Sequence, residues 1–111
     1  MQTGKVILIV FILVAFVVVM NYVSKESSPK LYTVNNLPDG TMAVTTPPFG
    51  IFIRPEARHN KEVLEHEQCH WNQYRRMGLI DFWKTYLADS KKYPYHEIPM
   101  EKECFDQTQM Q

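Results

Sequence analysis

Residues 60–78 read Asn-Lys-Glu-Val-Leu-Glu-His-Glu-Gln-Cys-His-Trp-Asn-Gln-Tyr-Arg-Arg-Met-Gly, and this stretch decides the fold. Its apolar and histidine positions recur at spacings of three and four residues, which predicts an amphipathic helix. Asn60 is a favourable N-cap and Gly78 a favourable C-terminal stop, so the helix should end at about residue 77. One stripe of this helix carries Val63, His66, Glu67, His70, Tyr74 and Met77. We therefore expect the two histidines to point toward the interior of the domain.

Residues 66–70, His-Glu-Gln-Cys-His, have the spacing of a zinc site. Histidines at i and i+4 place two imidazoles on one helix face, one turn apart, which suits two corners of a zinc tetrahedron. Glu67 then lies beside the metal, where it can accept a proton from water that zinc acidifies to a pKa of about 7. A chance spacing of two histidines is the alternative, but the motif lies on the apolar stripe and buried histidines need partners. The sequence predicts that His66 and His70 bind Zn²⁺ and that Glu67 is the general base.

A catalytic zinc has three protein ligands and one open position. A third histidine in the spacing H-E-x-x-H-x-x-G-x-x-H does not follow here. The downstream candidates for the third ligand are His96, Glu97, Glu101, Glu103 and Asp106. The residues by themselves leave the choice among these five open.

The chain resembles the gluzincins, zinc metallopeptidases whose third ligand is a glutamate on a downstream helix, and in particular their minimal membrane-associated or phage-encoded kinds. The likeness covers residues 49–106. It rests on the histidine motif and on residues 99–104, Pro-Met-Glu-Lys-Glu-Cys, which are similar to the family pattern Pro-x-Glu-x-Glu-Ala. The resemblance implies that Glu101 is the third ligand, with Glu103 as the alternative. Phe105 stands where many members have an aspartate that orients a histidine, so another acceptor must do so here.

Three short runs before the motif have the composition of β-strands: residues 31–34, 41–46 and 49–53. The turn signals Pro38-Asp39-Gly40 and Pro47-Pro48 separate them. A three-stranded antiparallel sheet is the simplest arrangement, with the second and third strands joined by a tight turn. The resemblance implies that the third run is an edge strand beside a substrate cleft, and a plain core strand is the alternative.

Two further helices are predicted after the motif, one at Leu79–Leu87 and one from Pro99 to Thr108. The expected fold is α+β: one N-terminal transmembrane helix, then a small zincin-like domain with a short antiparallel sheet and about three helices.

The N-terminal segment is the most apolar part of the chain. Residues 6–20 have no polar side-chain atom, and with their neighbours they form a helix that spans the roughly 30 Å hydrocarbon core of a bilayer. The predicted organisation is a transmembrane anchor at 1–23, a linker at 24–30 and a metallohydrolase domain at 31–111. A cleaved signal peptide is the alternative, although the exit sequence lacks a small-x-small cleavage site. Lysines flank both ends, so charge hardly sets the orientation; short N-terminal tails usually stay in the cytoplasm, which places the domain outside.

Composition argues against one class of partner, nucleic acid, and does not decide whether the two cysteines are bonded to each other. Lysine plus arginine and aspartate plus glutamate number 12 each, which argues against a nucleic-acid partner. The part beyond the anchor, about 85 residues, is near the size at which one core is marginal without a disulfide or a metal. Cys69 and Cys104 each follow an expected ligand by three residues. A disulfide between them and two separate buried thiols are both open.

The function expected from these features is a membrane-anchored zinc metallopeptidase that hydrolyses peptide bonds. Tyr93, Tyr95 and His96 lie in a loop that can supply an oxyanion donor, although aromatic residues more often serve the core. The expected partners are a peptide, protein or peptidoglycan-peptide substrate, the lipid bilayer and a larger membrane or virion assembly. The alternatives are a cell-wall hydrolase of an envelope or virion, and a non-catalytic membrane protein with a stabilising metal.

Overall fold

The computed structural model describes residues 2–25 and 27–108. Residue 1 of the predicted anchor, residue 26 of the predicted linker and residues 109–111 of the predicted domain lie outside the described residues. The fold is α+β, as the sequence predicts. Its helices and strands are α1 (Gln2–Lys25), β1 (Leu31–Thr33), β2 (Ala43–Thr46), β3 (Gly50–Ile53), α2 (Lys61–Met77), α3 (Leu79–Ser90) and α4 (Pro99–Thr108), with 3₁₀ turns at Pro55–Ala57 and Tyr95–Glu97.

Helix α1 has the length and composition to cross a membrane. Its span Thr3–Ser24 has 22 residues and a mean hydropathy of 3.1, and none of its most apolar stretch is buried. At 1.5 Å per residue this span is about 33 Å long, enough for the hydrocarbon core; an N-terminal signal sequence has the same properties. The predicted linker is wrong at its start, because Ser24 is still helical and is buried. Its hydroxyl donates to the backbone oxygen of Pro48 at 2.7 Å, which fastens the end of α1 to the domain.

Helix α2 confirms the bounds predicted from the sequence. The Asn60 side chain accepts a hydrogen bond from the backbone N–H of Val63, and Gly78 follows the last turn with φ of 88°. Only one face of the helix is buried, because the apolar and histidine positions share one stripe. Helices α3 and α4 also form where they are predicted.

The sheet differs from the predicted antiparallel arrangement. Its order is β1-β3-β2; β2 and β3 form the expected antiparallel hairpin, whereas β1 pairs with β3 in parallel. Strand β3 is therefore central: the edge strand that the resemblance implies for residues 49–53 is wrong, and the alternative, a core strand, is confirmed. The edge strand beside α2 is β2. The hairpin follows from its local turn, but the choice of β3 rather than β2 as the partner of β1 depends on the path of the loop that leaves β1.

Two residues explain how β1 reaches β3. Gly50 has φ of 148°, and a Cβ there would collide with the backbone oxygen of Lys30, which accepts a hydrogen bond from Ile51 at 2.8 Å. A side chain at this position would push the strands apart. Arg54 holds the β1–β2 loop, since its guanidinium donates to the backbone oxygens of Asn35, Leu37, Pro38 and Thr41. The loop thus crosses over β3 and returns the chain on its other side.

The core consists of two clusters on either side of the middle of α2. Ile51, Ile53, Ala57 and Val63 join the sheet to the start of this helix. The second cluster joins α2, α3 and α4, and it contains Trp71, Tyr74, Phe82, Ile98 and Met100. Along α2, the histidines lie between the residues that belong to the two clusters.

Candidate metal centre

Three electron-pair donors from two helices converge at the middle of α2. Glu101 Oε1, on the first turn of α4, lies 3.0 Å from His66 Nε2 and 2.9 Å from His70 Nε2. The two Nε2 atoms lie 3.2 Å from each other. All three residues are buried, with 4 % of each exposed. Among the described residues, these three form a group that can hold a metal ion.

The dimensions of this triangle suit a small tetrahedral metal. At ligand distances of about 2.0–2.1 Å, a zinc tetrahedron places neighbouring ligand atoms about 3.3 Å apart. The three observed separations, 2.9–3.2 Å, lie within a few tenths of an ångström of this value. A metal therefore requires only a slight opening of side chains that already converge.

Hydrogen bonding defines which nitrogen of His70 faces the centre as an acceptor. The Gln73 amide nitrogen donates to the backbone oxygen of Met100 and to Glu103, each at 2.9 Å, so its oxygen must face His70. His70 Nδ1 lies 2.9 Å from that oxygen and is its donor. In a neutral imidazole the lone pair is then on Nε2, opposite the Glu101 carboxylate oxygen. Two facing acceptors repel each other unless a cation lies between them, and a metal ion meets that need.

The Glu101 carboxylate divides its two oxygens between different partners. Oε1 faces the histidines, while Oε2 accepts a hydrogen bond of 2.6 Å from the Tyr86 hydroxyl. Burial raises the pKa of Glu101, but the hydrogen bonds from His66 and His70 outweigh it and hold the pKa well below its usual range. The carboxylate is thus ionised, with one oxygen available for a metal.

The electrostatics of His70 reflect the same carboxylate. Burial by itself lowers the pKa of His70. The hydrogen bond to Glu101 and the negative charge of Glu101 raise the pKa by a larger amount, so the net pKa is above its usual value. Without a metal, His70 therefore tends to hold a proton on Nε2 and to donate it in a hydrogen bond to Glu101. A metal ion must displace that proton, which makes its binding dependent on pH.

Glu67 is buried beside the donors and is held by the edge strand. The Thr45 hydroxyl lies 2.9 Å from Glu67 Oε1 and 3.0 Å from its backbone oxygen, and its single proton can be donated to either. Only 7 % of Glu67 is exposed, and burial raises its pKa above the usual value despite the nearby imidazoles. A buried carboxylate with a raised pKa is suited to taking up and returning a proton near neutral pH.

The donors and Glu67 open into one cavity of about 500 Å³. Strand β2 and the loop before it form one wall, and α3 with the 3₁₀ turn at Tyr95–Glu97 forms another. The residues that line both the centre and the cavity are Thr45, His66, Glu67, His70, Tyr86, Tyr95, Glu101 and Phe105. The centre is thus closed by protein on the side of α2 and α4 and is accessible from the cavity.

His66 lacks the orienting acceptor that His70 has. Its Nδ1 is buried and has no hydrogen-bond partner among the described residues. The ring instead packs against Phe105, with 4.5 Å between the ring centroids. Phe105 therefore restrains this imidazole by contact, while Gln73 serves as the acceptor for the other one.

Cys69 and Cys104 form a disulfide that joins α2 to α4. The bond lies beside the centre, since Cys104 Sγ is 3.5 Å from His70 Nδ1. Both sulfurs are consumed by the disulfide, so neither can serve as a thiolate ligand. The open choice between a disulfide and two thiols is thereby decided in favour of the disulfide.

The remaining predicted candidates lie away from the three donors. Glu103 is half-buried on another face of α4, where it accepts from Gln73 and pairs with Arg76 at 3.1 Å. His96, Glu97 and Asp106 are exposed. Among the suggested oxyanion donors, Tyr95 lines the cavity, whereas Tyr93 and His96 do not.

Three residues of the site were not identified from the sequence: Thr45, Gln73 and Tyr86. Gln73 follows His70 by three residues, and this helical spacing is a signal that could have revealed it. Thr45 and Tyr86 have no local signal, because strand pairing and the packing of α3 bring them to the site.

Comparison of the chain with protein-family models, curated proteins and solved structures finds no match in any of the three.

Proposed function

We propose that this protein is a membrane-anchored zinc-dependent metallopeptidase with a zincin-like domain. The observation that carries the proposal is the convergence of His66, His70 and Glu101 on one point beside a cavity that also contains Glu67. Two imidazoles and one carboxylate are a common ligand set of catalytic zinc, which keeps a fourth position open. A zinc ion here supplies Lewis-acid chemistry, acidifying water and polarising a carbonyl group.

Glu67 moves the proton in this proposal. Its buried carboxylate takes a proton from the attacking water and returns it to the leaving amine, and Thr45 keeps Oε1 in place through the hydroxyl contact. Burial first, and then the negative charges of Glu101 and Glu67 and a hydrogen bond to Glu101, raise the pKa of Tyr95. Its phenol therefore stays protonated, and in the proposed reaction it exchanges Glu101 for the developing oxyanion as its acceptor. The Tyr86 hydroxyl is occupied by Glu101 and has a positioning role.

The free edge of β2 suits an extended peptide. Val44 is paired with Phe52, and the Met42 oxygen accepts from Arg54, so the backbone groups of Ala43 point away from β3. A peptide can add to this edge as a further strand and place its backbone along the cavity wall. A peptide is therefore the substrate class proposed, and cross-link peptides of a cell wall belong to the same class.

A purely structural metal is the less well supported alternative. Structural zinc sites are usually closed by four ligands and are rich in cysteine, but the disulfide consumes both cysteines of this chain. A structural site also gives no role to a buried carboxylate such as Glu67. The disulfide further supports an oxidising compartment for the domain, on the outer side of the membrane that α1 would cross.

Glu67→Gln tests the proposal. We expect the variant to bind one zinc per chain as the wild type does, while hydrolysis of a peptide library falls by about 10²–10⁴-fold, because the general base is lost. Glu65→Gln is the matched control, since Glu65 lies on the exposed face of the same helix, and it should leave hydrolysis unchanged. Unaltered hydrolysis in Glu67→Gln, or a zinc-loaded wild type that cleaves neither peptides nor muropeptides, would refute the proposal.

A further inference from the structure

Two side chains in the C-terminal half of α2 contact the end of α1 and the residues that follow it. The Trp71 indole N–H donates to the backbone oxygen of Ser27 at 3.1 Å. One turn later, the Tyr74 hydroxyl contacts Asn21, at 3.2 Å from the backbone oxygen and 2.6 Å from Oδ1. From the first contact to the second, the chain advances along α2 while its partner moves back from Ser27 into the apolar part of α1.

This register places the end of α2 beside the apolar span. Asn21 already belongs to the span Thr3–Ser24. Val17 and Met20 are half-buried in an otherwise exposed stretch and lie on the same face of α1 as Ser24. The partly covered face of α1 therefore extends from Ser24 toward the N-terminus into the apolar span. A further helical turn, about 5 Å, beyond Tyr74 brings the chain to the turn between α2 and α3.

A second set of contacts, through the β2–β3 turn, places α3 beside the same end of the apolar span of α1. Pro48 accepts from Ser24, and the neighbouring Pro47 oxygen accepts from the Trp83 indole at 3.1 Å. Trp83 is therefore near the level of Ser24. Ile80 precedes Trp83 by three residues on α3, and Tyr86 at the metal centre follows it by three, so α3 rises from the apolar end of α1 to the site.

Ile80, at the start of α3 beside the apolar span, has an apolar side chain that faces outward. Ile80 is 78 % exposed, as large a value as any large hydrophobic residue in the described part of the chain shows. Tyr22, also 78 % exposed, marks the same level on α1, where aromatic side chains commonly lie at a membrane boundary. If α1 crosses a membrane, lipid lies at this level and can accommodate the Ile80 side chain.

We propose that the turn between α2 and α3 makes a second membrane contact through Ile80, whose side chain inserts at the boundary between headgroups and acyl chains. The inference rests on the proposed role of α1 as an anchor. It also sets the height of the site: His70 and His66 lie one and two turns from Tyr74 along α2, about 6 and 12 Å, and the Tyr74 hydroxyl contacts Asn21. The peptide that reaches the site is thus a segment lying close to the membrane surface.

Site-specific fluorescence in vesicles tests this contact. The full chain with Ile80→Cys, labelled with an environment-sensitive fluorophore, is placed in phosphatidylcholine vesicles that contain spin-labelled lipid. The native cysteines are bonded to each other, so the added thiol is the one that reacts. Leu87→Cys is the matched control, because Leu87 is 55 % exposed and lies seven residues, about 10 Å, farther along α3.

We expect the label at position 80 to be quenched several-fold more strongly by shallow spin labels than the label at position 87. Val10→Cys, in the middle of α1, reports on the anchor itself and should be quenched by deep spin labels. If the labels at positions 80 and 87 are both unquenched while the label at position 10 is quenched, the second contact is refuted, but the membrane-spanning role of α1 is supported. An unquenched label at position 10 refutes both the anchor and the second contact. Zinc binding and hydrolysis are tested by the separate Glu67→Gln experiment, so their failure can be distinguished from this one.

Discussion

Replacing Cys69 and Cys104 together with alanine removes the covalent link between α2 and α4. The two residues are separated by 35 positions in sequence. For a closed loop of about this length, the loss of chain entropy in the unfolded state corresponds to about 3.8 kcal/mol at 25 °C. A domain of roughly 80 residues has a free energy of unfolding of only about 4–12 kcal/mol, so the link is a large part of its stability.

Zinc should recover part of this loss. The disulfide joins the two helices that carry the donors, since Cys69 is on α2 with both histidines and Cys104 is on α4 with Glu101. A metal that binds all three donors joins the same two helices without a covalent bond. At a zinc concentration 100 times the dissociation constant, binding to the folded state adds about 2.7 kcal/mol. The double variant is thus expected to be marginal without zinc and clearly folded with it.

Urea unfolding of the full chain in detergent micelles measures both effects. Trp71 is 1 % exposed and provides a fluorescence signal for unfolding. The matched control is the wild type treated with a phosphine reductant, which breaks the same bond without changing any side-chain volume. If the denatured wild type shows no free thiol, so that its disulfide is intact, a double variant within about 0.5 kcal/mol of the wild type would refute the reasoning from loop closure.

Three further substitutions test the site and the fold. Gln73→Leu removes the acceptor for His70 Nδ1, so zinc affinity should fall by about 10–100-fold in a calorimetric titration, and an unchanged affinity would contradict this role. Arg54→Lys loses the forked contacts to the β1–β2 loop, and limited proteolysis should cut that loop faster than in the wild type; equal rates would exclude a clamp. Gly50→Ala places a Cβ against the Lys30 backbone oxygen, so the domain should melt at lower temperature by an amount equivalent to at least about 1 kcal/mol. An unchanged melting temperature would show that β1 can move away without loss.

The sequence by itself determined the elements whose causes are local. Helix α2 was predicted with its cap and its stop, and the pairing of His66 with His70 followed from it, because residues four apart on a helix share a face whatever surrounds them. The apolar span of α1 and the β2–β3 hairpin were predicted for the same kind of reason. Glu101 was named through resemblance, and its meeting with the histidines depends on how α4 packs against α2.

The tertiary structure decided everything that depends on distant parts of the chain. The strand with which β1 pairs depends on a loop that Arg54 holds, and pairing with β3 instead of β2 makes β3 the central strand. Thr45 and Tyr86 reach Glu67 and Glu101 across 22 and 15 residues, a distance over which sequence periodicity carries no information. The docking of Tyr74 on Asn21, which sets the site close to the apolar span, joins residues 53 positions apart. Such contacts result from the packing of whole elements, so they are decided only when the chain is folded.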